Sequence, residues 1–180
     1  MAVTINGTTG VSKVQDGLSN VGKVLQVKET LKTDTSYHSS IGSSPQAIAG
    51  MSCTITPTST TSKIKIEVRW MGECSEQYNL MFQILRGSTS INLPPVAGSR
   101  QRGLFCPALS YAYSDNSTTP EAASFSTIDY PNTTGSITYS LAVVGDGNDS
   151  MWTNRTYVDG DAIHHERGTS EIILTEIGGS

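Results

Sequence analysis

The sequence predicts an all-β fold, an antiparallel β-sandwich of the jelly-roll kind with an extended N-terminal arm. Three observations carry that expectation. In KIKIEVRW, Ile64, Ile66, Val68 and Trp70 are apolar while Lys63, Lys65, Glu67 and Arg69 are charged. This is the period of two that puts successive side chains on opposite faces of a strand. Turn chemistry is abundant: 17 glycines, 7 prolines and long runs of Ser, Thr and Asn, residues that satisfy turn backbone or accept positive φ. No segment carries a convincing helical period. The apolar stretch 76–86 is only about ten residues long and has no polar face recurring at 3.6. At 180 residues the chain suits one domain able to bury a core without staples.

Residues 1–21, MAVTINGTTGVSKVQDGLSNV, are small, polar and punctuated by glycine. An extended arm is expected there, with one short strand at Val3–Ile5. An arm so poor in apolar residues is ordered only by packing on something else, and Val3, Ile5, Val11 and Val14 are what it offers. The sandwich domain is expected over 22–180. GKVLQVKETLKT opens it as a strand that Thr33, Thr35 and Ser36 continue, and SSIGSSPQAIAG is expected as a loop. MSCTITP is a strand with Met51, Cys53 and Ile55 on one face. Pro57 closes it, because proline cannot donate to a ladder, and TSTTS turns the chain into KIKIEVRW. NLMFQILRG is apolar on both faces and is expected to be central. RGSTSINLPPVAGSRQRG is expected as a long connection. Residues 104–113 and 123–130 bear Phe105, Tyr111, Tyr113, Phe125 and Tyr130 at strand-like spacing. YPNTTG is a turn. SITYSLAVV alternates Ile137, Tyr139, Leu141 and Val143, and TSEIILTEI is the last strand. Eight or nine strands at intervals of about 10–20 residues fit a sandwich or jelly roll.

Net charge is −4 with a pI near 5.3, and no basic cluster is present to neutralise phosphates, so nucleic acid is not an expected partner. The opening MAVTINGTTG has neither a basic nor an apolar signal region. No apolar run approaches the ~18 residues of a membrane helix, so a soluble chain without membrane insertion is expected. Cys53, Cys74 and Cys106 are odd in number and match no zinc spacing. Buried free thiols are expected, Cys53 as an inward-facing small hydrophobe, with a Cys74–Cys106 disulfide as the alternative.

Catalytic signatures are weak. No serine sits in a Gly-x-Ser-x-Gly elbow and there is no phosphate-binding loop. Carboxylates paired from distant positions stay open, but a protein that is not an enzyme, without cofactor or metal, is expected. The segment 159–166, DGDAIHHE, gathers Asp159, Asp161, His164, His165 and Glu166. It lacks the spacing of a calcium loop, and the adjacent histidines would point to opposite faces of a strand, so a solvated loop or edge strand is expected. Five Asn-x-Ser/Thr sequons occur, at Asn6, Asn116, Asn132, Asn148 and Asn154, and read most simply as turn composition. Tyr111, Tyr113 and Tyr130 offer apolar faces with polar tips, suited to glycan contact or, more simply, to core and subunit packing.

In order along the chain stand GKVLQVKETLKTDT, ITPTSTTSKIKIEV, ILRGST, PNTTGSITYSLAV, NRTY and GTSEIILTEI. Together they resemble a small all-β domain of the tail fibres and other virion appendages of tailed bacteriophages, notably those of marine bacteria and cyanobacteria. The resemblance spans about 22–178, and VTINGTTGVS looks like the short segment that often precedes such domains. It implies a homotrimer on the virion surface, assembled in the host bacterial cytoplasm. Residues 1–21 would dock on capsid or tail and baseplate proteins, and the domain would contact host-surface glycan or protein. A full tail fibre carries a long shaft ahead of this domain, and only residues 1–21 precede it here. A head fibre or capsid decoration protein held by its arm is therefore the second expectation. A cellular carbohydrate-binding module is the third.

Overall fold

The computed structural model describes residues 4–6, 10–13, 22–75, 78–107 and 119–179, and every regular element among them is a β-strand. Strands β1 (Thr4–Asn6) and β2 (Gly10–Lys13) pair antiparallel, with Ile5 opposite Val11. The strand expected in the arm thus has a partner within the arm. Val3 and Val14 lie outside the described residues.

The remaining strands are β3 (Val24–Lys32), β4 (Ser36–Ile41), β5 (Gln46–Ile55), β6 (Lys63–Cys74), β7 (Met81–Arg86), β8 (Thr89–Ile91), β9 (Glu121–Asp129), β10 (Ile137–Val144), β11 (Asp149–Thr153) and β12 (Ser170–Ile177). Two long strands are each written in two pieces. β11 pairs with the end of β6 (Thr153 opposite Gly72) and β12 with its earlier part (Glu171 opposite Arg69). Both lie on the edge of β6 that β9 does not occupy, so they form one strand interrupted by the excursion 154–169. On their far side β4 pairs with β11 and β3 with β12, one strand again, kinked at 33–35.

Counted this way the domain has eight strands. One sheet runs β3/β4, β11/β12, β6, β9, which in chain order is 1-8-3-6; the other runs β5, β10, β7, β8, which is 2-7-4-5. All neighbours are antiparallel. Two four-stranded sheets shared out in this order are the jelly roll, the fold expected from the alternation.

The core lies between the sheets. Ile64, Ile66, Val68 and Trp70 of β6, with Ile172 and Leu174 of β12, face Met51, Cys53 and Ile55 of β5, Phe82 and Ile84 of β7, and Tyr139, Leu141 and Val143 of β10. Trp70 meets Phe82 edge-on at 5.2 Å, and its indole N–H donates to Thr153 Oγ1 at 3.0 Å, so the buried ring keeps no idle donor. β7 is interior to its sheet and buried from Phe82 to Leu85, as its two apolar faces require. Side chains stitch the sandwich rim. Gln26 Nε2 donates to Thr56 O, Gln46 Nε2 to Ser40 O and Asn92 Nδ2 to Ile128 O. These cover edge backbone that would otherwise invite pairing.

Several local expectations are corrected. The first strand is broken at Thr33–Thr35 and resumes at Ser36 as β4. SSIGSSPQAIAG supplies the end of β4 and the start of β5 rather than a loop. The connection 86–103 contains β8, turned back by Gly87 at φ +62°, a backbone that glycine adopts without a steric cost. Residues 104–107 form no strand, and Phe105 makes a single bridge to Phe82. Cys53, Cys74 and Cys106 are all free; Cys53 and Cys74 are buried but Cys106 is exposed. Phe105 takes the inward position against Phe125, at 5.5 Å, so the next side chain in extended backbone points outward.

Candidate functional site

Side chains directly opposite across a ladder share a face. Trp152 on β11 stands opposite Tyr37 of β4 on one side and Glu73 of β6 on the other. Its neighbour Met151 and Glu73's neighbour Cys74 are core residues, so Tyr37, Trp152 and Glu73 line up on the outer face. The Tyr37 and Trp152 rings stack at 5.3 Å.

The 154–169 excursion roofs this row. Asn154, fully buried at φ +63°, begins it. Its Nδ2 donates to Lys32 O and Asp34 O at 2.9 and 2.8 Å, and its Oδ1 accepts from Ser170 Oγ at 2.7 Å. One side chain therefore holds the kink at 33–35, the exit of the excursion and its return. Tyr157 then crosses Trp152 edge-on at 4.7 Å, and its backbone N–H donates to Glu73 Oε2 at 2.5 Å. That bond engages a carboxylate lying only 6% exposed.

Together these groups line a cavity of about 360 Å³ bounded by Tyr37, Glu73, Cys74, Ser75, Ser150, Trp152 and Tyr157. That is at the small end of the ~300–1,000 Å³ typical of small-molecule sites. Tyr37 and Tyr157 are half-exposed. The Tyr37 hydroxyl and Ser150 Oγ are hydrogen-bonded at 3.3 Å, and Ser75 Oγ accepts from Ser150 N at 2.9 Å. At the back, burial pushes the Cys74 thiol far up, with the carboxylates of Glu121, Asp149 and Glu73 adding to the effect. It stays a neutral thiol, not a nucleophile. The arrangement offers aromatic faces, hydroxyls and one carboxylate: the means to hold a ligand.

The residues singled out from sequence lie elsewhere. Tyr130 is exposed beside the start of β6, with Lys63 Nζ 5.7 Å above its ring, at the opposite end of that strand from the cradle. Tyr111 and Tyr113 lie outside the described residues. Asp159 accepts from Arg167 at 2.9 and 2.8 Å and pairs with Arg155 at 3.4 Å. His165 Nδ1 accepts from Gly160 N at 2.7 Å. The 159–166 segment thus braces the excursion from within, and its two histidine rings touch at 4.5 Å because the backbone turns there. Among the described residues no three His, Cys, Asp or Glu side chains gather as metal ligands. Of the sequons, Asn154 is sealed inside and closed to glycosylation. No local pattern marks the cradle, since Tyr37 and Trp152 come from strands far apart in sequence.

No protein-family model matches the chain, and no curated protein matches it. Among solved structures, the chain is similar to one titled "Structure of infectious bursal disease virus Gt strain", at 15% identity and a TM-score of 0.39. The match covers 86% of this chain and 38% of that one, so this chain spans well under half of its length.

Proposed function

We propose that the chain is a non-catalytic structural protein of a virion surface: a homotrimeric tail-fibre or tail-tip appendage of a tailed bacteriophage that contacts the host. The observation that carries this reading is the aromatic cradle. It is an open binding surface on a rigid sandwich: its carboxylate holds the excursion loop through Tyr157 N–H and its hydroxyls bond one another and the strand backbone, with no acid–base pair converging for proton transfer. The resemblance of residues 22–178 to phage appendage domains supports the virion setting. The jelly roll supports assembly, because broad sheet faces are buried readily by cyclic association. Residues 1–21 are the anchor to the particle.

The deciding experiment is to raise antibodies against the chain and image labelled particles by electron microscopy. Label on the tail is the expected result. Label on the capsid capsomers establishes instead a head fibre or decoration protein, and purified particles free of label overturn both. Deleting residues 1–21 is expected to leave a folded domain that no longer attaches; retained attachment would assign docking to another surface.

A further inference from the structure

We infer that the cradle of Tyr37, Trp152 and Tyr157 binds an uncharged hexose unit, a role that rests on the reading above for the source of the sugar and on geometry for its chemistry. A pyranose presents one face of C–H groups and a rim of hydroxyls. Tyr37 and Tyr157 are half-exposed on either side of Trp152, so apolar ring surface is available for the C–H face. The cavity lining supplies what the hydroxyls need: the Tyr37, Ser150 and Ser75 hydroxyls, and the buried Glu73 carboxylate that Tyr157 N–H already engages. Small neutral alternatives fit less well. A purely apolar ligand would shut the remaining bonding capacity of the Tyr37, Ser75 and Ser150 hydroxyls away from water, and an acidic sugar would bring its carboxylate toward that of Glu73 in a partly dry site. The volume of about 360 Å³ admits one or two sugar units, not a folded partner. The platform is preorganised, because Asn154 and the Asp159–Arg155–Arg167 group fix the loop that carries Tyr157, which lowers the ordering cost of binding.

The two tryptophans make the test direct, since Trp70 is sealed in the core whereas Trp152, only 6% exposed, lines the cavity directly against Tyr37 and Tyr157. The full chain is titrated with methyl glycosides of glucose, galactose and mannose, and with N-acetylneuraminic acid as the acidic comparison, following tryptophan emission. At least one neutral glycoside is expected to give a saturable change with a Kd around ~1 mM, and the acidic sugar none. Trp152→Phe is expected to abolish the change while Trp70 emission remains. Tyr37→Ala and Tyr157→Ala are each expected to weaken binding by about tenfold without lowering the thermal midpoint, because both side chains are half-exposed. Three results overturn the inference: no response to any neutral glycoside, a stronger response to the acidic sugar, or undiminished affinity in Tyr37→Ala. The two readings fail separately. Label on the particle with no sugar response removes this inference alone, and sugar binding without particle label removes the virion reading alone.

Discussion

Glu176 shows what the hydroxyl-rich turn at 58–62 does. It stands opposite Ile64 on the core face of β12, fully buried. Its carboxylate accepts from Ser62 Oγ at 2.6 Å, from Thr58 N and Oγ1 at 2.7 Å each, and from Gln26 Nε2 at 2.6 Å. Burial raises its pKa, but the bonds from Ser62, Gln26 and Thr58 outweigh burial and hold it below its ordinary 4.5. The sign follows from linkage. The folded state binds this proton more weakly than the unfolded state, so the stabilisation is complete above about pH 4.5 and is lost as pH falls through the lower folded value. Glu176→Gln turns two acceptors into one acceptor and one donor facing donors. It is expected to cost about 2 kcal/mol at pH 7, and urea titrations should show that cost shrinking toward pH 3. Thiol labelling is a second check at this scale: native protein should alkylate at Cys106, with Cys53 and Cys74 protected until unfolding. The inward set Ile64, Ile66, Val68 and Trp70 was plain from alternation. The fate of Glu176 was not, because its partner Ser62 lies 114 positions away.

At the scale of elements, alternation was legible wherever one face is buried over a full strand, as in β5, β6, β10 and β12. β4 reads SYHSSI and buries only Ile41 fully; its inward-facing positions include Ser36 and His38, which are polar, so it writes no apolar period. β11 is a fragment of five residues, recognisable only once β12 is seen to continue it. The cradle was illegible for the same reason, since it exists where β4, β11 and the end of β6 come into register. Asn154 is the residue on which both interruptions depend. Asn154→Ala removes three side-chain hydrogen bonds and leaves a residue less tolerant of positive φ. A loss of about 3 kcal/mol is expected, read as a fall in the denaturation midpoint. Asn154→Gly relieves the backbone but not the bonds, so it should fall between alanine and the parent.

At the scale of the molecule, the two sheets are joined by apolar packing, by the side-chain bonds along the rim and by a buried polar bolt. Asp129, ending β9, accepts from the Tyr139 hydroxyl of β10 at 2.6 Å and from Arg86 NH1 of β7 at 3.0 Å. Burial, then the bond to Asp129, pushes the Tyr139 phenol far up, so it remains a donor at any working pH. The outer face of the β3-to-β9 sheet is different. In register across it lie Val27, Glu29 and Leu31 of β3, then Thr175, Ile173 and Glu171, then Lys65, Glu67 and Arg69. Arg69 pairs with Glu171 at 3.0 Å and Lys65 with Glu67 at 2.8 Å, so the charges are largely neutralised among themselves. Val27 and Leu31 stand 55% and 53% exposed beside them. A face with largely paired charges and uncovered aliphatic side chains has the character of a subunit contact, and it is the face the proposed trimer would bury. Val27→Lys with Leu31→Lys places two like charges on that face without touching the core. Sedimentation velocity of the full chain should then shift from trimer to monomer while the thermal midpoint of the domain stays within a few degrees. A trimer that survives the double substitution would move the contact to another face. A parent chain that sediments as a monomer would refute the trimer in solution.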